Sequence, residues 1–90
     1  MTEGTAAATV PTSLGAEAVG ILQRLIRADT VNPPGNERAL QEELAAMLTE
    51  AGFECELLAA EPERTNLVAR LRGEDDGSTL TMLGHVDTVR

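Results

Sequence analysis

The residues best suited to chemistry stand near the end of the sequence, in the stretch TLTMLGHVDTVR. His85 is the single histidine among 90 residues, and Asp87 follows it two positions later. In an extended segment, side chains two residues apart share a face and lie about 6.6 Å apart along it. An imidazole nearly spans that distance, so Asp87 can accept the N–H of one ring nitrogen while the other nitrogen binds a metal. Such a carboxylate fixes the histidine tautomer and raises its basicity as a ligand.

Taken alone, the His85–Asp87 pair is weak evidence for a metal, because such pairs more often lie at ordinary strand ends. Zinc takes about four ligands, so one histidine and one aspartate cannot complete a site. Cys55 is the one cysteine, and its place in a predicted strand favours a small buried side chain over a reactive thiol. Asp75 and Asp76 lie in GEDDGS, which is typical of a solvated turn rather than of a cation-binding loop.

The composition restricts the possible partners. Fifteen acidic residues against seven arginines give a formal charge of −8, which argues against nucleic acid as a partner. The sequence has no apolar segment of the length that a membrane span requires. Its start, MTEGTAAATVPTSLG, lacks the basic and apolar regions of a secretory signal. These features predict a cytoplasmic protein without a membrane partner.

Two helices are predicted ahead of this segment. Residues 1–14 carry no periodic pattern and predict a disordered arm. A first helix is predicted over residues 16–27 because apolar side chains recur on one face there. That face consists of Val19, Leu22, Leu25 and Ile26.

The second predicted helix follows the loop NPPGNE, in which two prolines and a glycine force a turn. Asn36 is its predicted N-cap, and Glu37 is predicted to lie in its first turn. Gly52 is predicted to end it in the left-handed conformation, with Phe53 packing back onto Leu48. Its apolar stripe consists of Leu40, Leu44, Met47, Leu48 and Ala51.

Three strands are predicted next, over residues 53–58, 66–72 and 79–86. The third is almost continuously apolar toward its end, which is typical of a strand buried on both faces. The order ααβββ predicts an α/β fold in which helices pack against a mixed sheet. His85 would then stand at the carboxyl end of a strand, where α/β proteins bind ligands, and Gly84 would leave room beside it.

Four blocks of this sequence resemble the amino-terminal part of the M20 family of metallopeptidases and amidohydrolases. In order, they are LIRADTVNPPGNE, LTEAGFE, TNLVARLRG and TMLGHVDTV. The resemblance covers residues 16–90, and GHVDTV after an apolar strand is its most specific element. It implies that residues 15–90 form the amino-terminal portion of a zinc-exopeptidase-like catalytic domain. Arg90 departs from the pattern, since relatives often have proline there.

The resemblance also implies roles for the two candidate residues. His85 would be the first ligand of a two-zinc site, and Asp87 would be the catalytic carboxylate that orients it. Cobalt or manganese could replace zinc. The family's other site residues would follow Arg90: a bridging aspartate, an adjacent glutamate pair, a further carboxylate and a late histidine. The sequence is therefore expected to be a fragment that is inactive alone.

The implied activity of the complete protein is zinc-dependent hydrolysis of an amide or peptide bond. Its substrates would be small peptides or N-acyl amino acids, and it would be a homodimer. The alternative is a catalytically inert chain that acts as a binding or subunit-interaction module through exposed apolar strands. TVNPPGNE is expected to act only as a connector. Asp29 and Thr30 could lie near the site through this loop, but a role at the end of the first helix is favoured.

Overall fold

The computed structural model describes residues 12–90, which form two helices followed by a β-hairpin. Helix α1 spans Thr12–Arg27, helix α2 spans Arg38–Glu50, strand β1 spans Glu54–Glu61 and strand β2 spans Arg64–Arg70. The two strands pair antiparallel in one sheet, and α2 packs across both of them. The α/β class, both predicted helices and the first two predicted strands are confirmed.

Helix α1 begins four residues before its predicted start. Thr12 is its first residue, so residues 12–14 of the predicted arm are helical rather than disordered. The rest of that arm, residues 1–11, lies outside the described residues. No helix within residues 12–90 has the length and apolar character needed to cross a membrane.

The predicted apolar face of α1 is present at helical spacing but is largely uncovered. Val19, Leu22 and Ile26 are 55%, 54% and 72% exposed. Arg24, in the last turn, forms a two-pronged ion pair with Glu43 of α2. Such exposed pairs contribute at most about 1 kcal/mol, so α1 is attached to the rest of the described chain mainly through the loop that follows it.

The start of α2 differs from the prediction. Asn36 is not the N-cap; its backbone has a positive φ of 45°. The residue before the helix is Glu37, and its side chain makes no capping hydrogen bond. Glu37 instead accepts a hydrogen bond from Arg64. The Glu37 side chain therefore forms an ion pair with Arg64 instead of capping the start of α2.

The end of α2 follows the prediction. Gly52 has a φ of 102°, and its N–H donates to the Thr49 carbonyl at 3.0 Å. The N–H of Phe53 donates to the Leu48 carbonyl at 3.0 Å. These two bonds define a Schellman motif, which satisfies carbonyls that the helix leaves unpaired.

The buried core lies between α2 and the hairpin. Leu40 and Ala45 are buried, and Leu44 and Leu48 are half-buried. Burial of a leucine side chain contributes about 1.5–3 kcal/mol. Met47, although it belongs to the predicted stripe, is 39% exposed, so the helix rests on the narrower row formed by the leucines.

The hairpin is displaced toward its turn relative to the prediction. Both strands reach further into the predicted connection AAEPERT, and the pairing register shifts between Ala59 and Glu61. Pro62 lies outside both strands, as expected for a residue without a backbone donor. The Thr65 hydroxyl donates to the Pro62 carbonyl at 3.1 Å and closes the turn.

The prediction of a third strand at residues 79–86 is wrong for the described structure. These residues form no strand, and Leu80, Met82 and Leu83 are 83%, 87% and 99% exposed. An apolar strand needs hydrogen-bonding neighbours and layers over its faces. Within residues 12–90, the sheet has two antiparallel strands and no neighbour for this segment. The predicted mixed sheet is therefore not formed, and parallel pairing in this range is limited to a bridge between Val31 and Thr88.

The Schellman motif makes a prediction about Gly52. We expect Gly52→Ala to lower the free energy of unfolding by about 1–2 kcal/mol, because alanine is strained at positive φ. Gly20→Ala is the matched control: it lies inside α1, where an added Cβ meets nothing within 4 Å. That change should raise helix stability by up to about 1 kcal/mol. Urea unfolding followed by circular dichroism measures both, and equal effects of the two substitutions would contradict the assignment.

Candidate metal centre

Backbone hydrogen bonds at Thr88 hold the segment that contains His85 against the loop between α1 and α2. The N–H of Asn32 donates to the Thr88 carbonyl at 2.7 Å, and the N–H of Thr88 donates to the Thr30 carbonyl at 3.0 Å. Val31 and Thr88 consequently form a parallel bridge. The loop that was expected to act only as a connector therefore sets the position of the chain next to His85.

Thr30 strengthens this attachment with its side chain. It is 1% exposed, and its hydroxyl donates to the Val86 carbonyl at 2.7 Å. The expectation that Thr30 serves the helix end is thus wrong, because its hydroxyl holds the residue between His85 and Asp87. Asp29 remains local, since it accepts the N–H of Val31 at 3.3 Å.

The structure brings the two predicted site residues together. His85 Nδ1 lies 2.9 Å from Asp87 Oδ1 and 3.0 Å from the Asp87 carbonyl oxygen. Neither an ionised carboxylate nor a carbonyl can donate a hydrogen bond, so Nδ1 must carry the proton. In the neutral ring, Nε2 then keeps a free lone pair. The His85 side chain is 81% exposed, which leaves the ring accessible to a ligand.

The second oxygen of Asp87 has partners of its own. Asn32 Nδ2 donates to Asp87 Oδ2 at 3.3 Å, and Arg64 Nη2 lies 3.6 Å from the same oxygen. The hydrogen bond from His85 lowers the pKa of the Asp87 carboxyl below its usual value; desolvation opposes this, and the Asn32 hydrogen bond adds to it. Asp87 is therefore an anion at neutral pH and accepts hydrogen bonds through both oxygens.

Arg64 connects Asp87 to the beginning of α2. Its Nε donates to Glu37 Oε1 at 2.7 Å, and the Glu37 side chain is only 7% exposed. This hydrogen bond raises the pKa of the Arg64 guanidinium, which stays charged. The guanidinium passes so close to Gly35 that a Cβ there would overlap it. Two features therefore favour glycine at position 35: the close approach of the guanidinium and the backbone φ of 109°.

His85 lines two hollows of different character. One is an open cleft of about 300 Å³ that also contains Gln41, Arg64 and Asn66. The other, of about 260 Å³, is bounded by the apolar side chains Leu22 and Ile26 of α1. The histidine thus stands between a polar and an apolar surface, an arrangement suited to a ligand with both kinds of group.

The donor set fits part of a zinc site. A neutral imidazole nitrogen, whose other nitrogen donates to a carboxylate, is a typical zinc ligand. Among residues 12–90, no group of three or more His, Cys, Asp or Glu side chains converges to hold a metal. A zinc ion bound to His85 would therefore take its remaining ligands from outside this set.

The other candidate residues of the sequence lie apart from these hollows. Cys55 is a free, half-buried thiol in β1. Asp75 and Asp76 are exposed in a bend. None of the three lines either hollow around His85.

Sequence reasoning missed three side chains of the site, namely Asn32, Glu37 and Arg64. Two of them belong to TVNPPGNE, where the prolines and glycine suggested only a turn. Glu37 was expected to act in the first turn of α2, where a carboxylate favours the helix dipole. Arg64 carried no signal, because its contact with Asp87 depends on how distant segments pair.

Comparison with curated proteins finds two relatives, both succinyl-diaminopimelate desuccinylases. The protein of Ralstonia pickettii (strain 12J) is 38% identical over 76 residues. That of Ralstonia nicotianae (strain ATCC BAA-1114 / GMI1000) is 36% identical over 76 residues. Each alignment covers 79% of this chain and 19% of the relative, so the chain spans about a fifth of the relatives' length. No model of a protein family and no solved structure gives a significant match.

The close approach of Arg64 makes a prediction about Gly35. We expect Gly35→Ala to lower the free energy of unfolding by about 2–4 kcal/mol, because it adds both backbone strain and overlap with the guanidinium. Gly84→Ala is the control beside His85, since an added Cβ there meets nothing within 4 Å. It should change stability by less than about 0.5 kcal/mol. Chemical denaturation tests both, and a tolerated Gly35→Ala would contradict the observed packing.

Proposed function

On the premise that this chain is related to the desuccinylases of the M20 family, we propose that it contributes the first ligand of a zinc-dependent amide hydrolase. His85 is the proposed ligand, and Asp87 is the carboxylate that orients it. The observation that carries this proposal is the 2.9 Å contact between His85 Nδ1 and Asp87 Oδ1. It leaves Nε2 as the metal-binding atom.

The proposed chemistry divides between the metal and the residues of this chain. Bound zinc supplies Lewis acidity for a carbonyl oxygen and lowers the pKa of a water. His85 gives the lone pair of Nε2, and Asp87 holds the Nδ1 proton and offsets the positive charge that builds up on the ring. The polar cleft beside His85 provides space for the substrate's polar groups. Proton transfer by a general base is assigned to residues outside this sequence.

The names of the relatives suggest which substrate class to test first. Both are named for removing succinyl from succinyl-diaminopimelate, so an N-succinylated amino acid is the first substrate to test, followed by other N-acyl amino acids and small peptides. Because one histidine supplies only one of about four zinc ligands, we propose that the active protein is longer than this chain. A homodimeric state and a cytoplasmic location belong to the same proposal.

The decisive experiment uses the complete protein that contains this sequence. A zinc chelator should abolish hydrolysis of N-succinyl-diaminopimelate, and added zinc should restore it. His85→Ala should lower kcat/KM by about 10³-fold or more, since a metal contributes several kcal/mol to the transition state. Asp87→Asn should lower it by about 10- to 100-fold.

Arg70→Gln is the matched control for these variants. Arg70 is exposed, and within residues 12–90 its side chain pairs only with Glu56, at 3.5 Å, so its loss should leave kcat/KM within about twofold. Activity that survives chelation, or a fully active His85→Ala protein, would reject the zinc-hydrolase proposal.

A binding module is the second candidate, and the exposed apolar side chains favour it. Leu80, Met82 and Leu83 are each more than four-fifths exposed, which is unusual for a surface without a partner. On this proposal, a partner covers the segment that contains them, and the 90-residue chain associates through it.

Light scattering tests this second candidate. The 90-residue chain should form oligomers, and Leu80→Ser combined with Leu83→Ser should shift it toward monomer. Leu58→Ser is the control, because Leu58 is a half-exposed leucine of β1 at 47%. If the unsubstituted chain is a monodisperse monomer, the proposed binding surface around Leu80 and Leu83 is contradicted.

A further inference from the structure

The two oxygens of Asp87 are used by different parts of the chain. Oδ1 accepts from His85 Nδ1 at 2.9 Å. Oδ2 accepts from Asn32 Nδ2 at 3.3 Å and lies 3.6 Å from Arg64 Nη2. The carboxylate torsion of aspartate is broad and roughly two-fold when nothing holds it. The hydrogen bond from Asn32 and the nearby charge of Arg64 both act on Oδ2, and they restrict the torsion that directs Oδ1 at the histidine.

We propose that Asn32 and Arg64 are positioning residues that orient Asp87, and that Glu37 positions Arg64 in turn. None of the three is a metal ligand or the orienting carboxylate in the function proposed above. Through Asp87 they set the tautomer of His85, and hence which ring nitrogen is free for a metal. The consequence for the metal rests on the proposed function, whereas the effect on the tautomer does not.

Arg64 is suited to this role because its planar guanidinium carries donors on different nitrogens in fixed directions. Nε is bonded to Glu37 at 2.7 Å, while Nη2 faces Asp87. Lysine has a single ammonium group and cannot serve two carboxylates in fixed directions. The closeness of Gly35 restricts the guanidinium further, since a side chain there would displace it.

Glu37 gives the arrangement a rigid base. Its side chain is 7% exposed, and its backbone carbonyl accepts the N–H of Gln41 at 2.9 Å in the first turn of α2. A buried carboxylate is costly unless it is paired, so Glu37 keeps Arg64 in place. Through Arg64, the orientation of the Asp87 carboxylate therefore depends on helix α2 rather than on an exposed loop.

Asn32 holds Asp87 from the loop between the helices. Its backbone N–H donates to the Thr88 carbonyl at 2.7 Å, and its side-chain amide donates to Asp87. The backbone bond fixes where the amide begins, so the side-chain donor reaches Oδ2 with little freedom. Removing the amide alone would leave the backbone pairing intact.

The first test measures the tautomer of His85 by ¹⁵N NMR in the complete, metal-free protein. The signals of His85 are identified by their absence in His85→Gln. We expect Arg64→Lys and Asn32→Ala each to lower the ratio of Nδ1-protonated to Nε2-protonated ring by about three- to tenfold, less than the loss of a direct ligand partner. Glu37→Gln should change the ratio in the same direction by a smaller factor.

Arg70→Lys is the matched control, because Arg70 is also a β2 arginine paired with a glutamate but is not a partner of Asp87. It should leave the ratio unchanged within about twofold. Arg64→Lys keeps a positive charge beside Glu37, and Asn32→Ala leaves that pair untouched, so at least one variant retains the fold. An unchanged ratio in the folded variants, or an equal change in Arg70→Lys, would overturn the proposal.

The second test measures zinc affinity by competition with a chelator. Arg64→Lys and Asn32→Ala should each weaken binding by about three- to tenfold, and Asp87→Asn by about 10- to 100-fold. If the complete protein binds no zinc while the tautomer ratio still falls, the zinc-hydrolase proposal fails and the positioning roles stand. If Arg64→Lys and Asn32→Ala keep the affinity for zinc and the tautomer ratio while Asp87→Asn binds zinc more weakly, the positioning roles fail alone.

Discussion

The backbone pairing between residues 30–32 and Thr88 is the interaction on which the site depends. Residues 71–85 are exposed throughout. Within residues 12–90, the segment that contains His85 is therefore held in position where Thr88 pairs with the loop before α2. Each backbone hydrogen bond contributes about 0.5–1.5 kcal/mol net, and the buried Thr30 hydroxyl adds another to Val86. These few bonds place Asp87 within reach of Asn32 and Arg64, and all other geometry of the site follows from that placement.

Charge alternates along the path from α2 to the imidazole. Glu37 is negative, Arg64 positive and Asp87 negative, and the ring of His85 ends the series. In a chain with a formal charge of −8, a cation placed where two carboxylates converge relieves their repulsion. The hydrogen bond from His85 lowers the pKa of Asp87 most, and Asn32 and Arg64 lower it further, so that both oxygens remain acceptors. The same arrangement that makes burial of Glu37 tolerable thereby defines the donor on the histidine.

Local rules predicted the features that depend on neighbouring residues. Gly52 ends α2 as its position required, the leucines of α2 face the hairpin, and the i, i+2 spacing of His85 and Asp87 produces their contact. The failures at the start of α2, in the third strand and at the site involve distant partners. Asn36 lost the cap position because Glu37 is held by Arg64, and the segment 79–86 is not a strand because no neighbour pairs with it in residues 12–90. Asn32 was invisible as a site residue because its role arises only when Thr88 lies beside it.

The sequence pattern predicted both a buried strand at residues 79–86 and a contact between His85 and Asp87. Within the described residues the contact is present and the strand is not. The His85–Asp87 contact and its support from Asn32 and Arg64 exist although residues 79–86 are exposed and unpaired. Orientation of His85, the proposed metal ligand, therefore does not require the strand predicted before it; it requires the loop before α2 and the start of β2. The apolar side chains of Leu80, Met82 and Leu83 would be stabilised by burial, but no other part of residues 12–90 covers them. Completing the proposed metal centre and covering this segment are thus separate requirements, and only the first acts on the chemistry of the histidine.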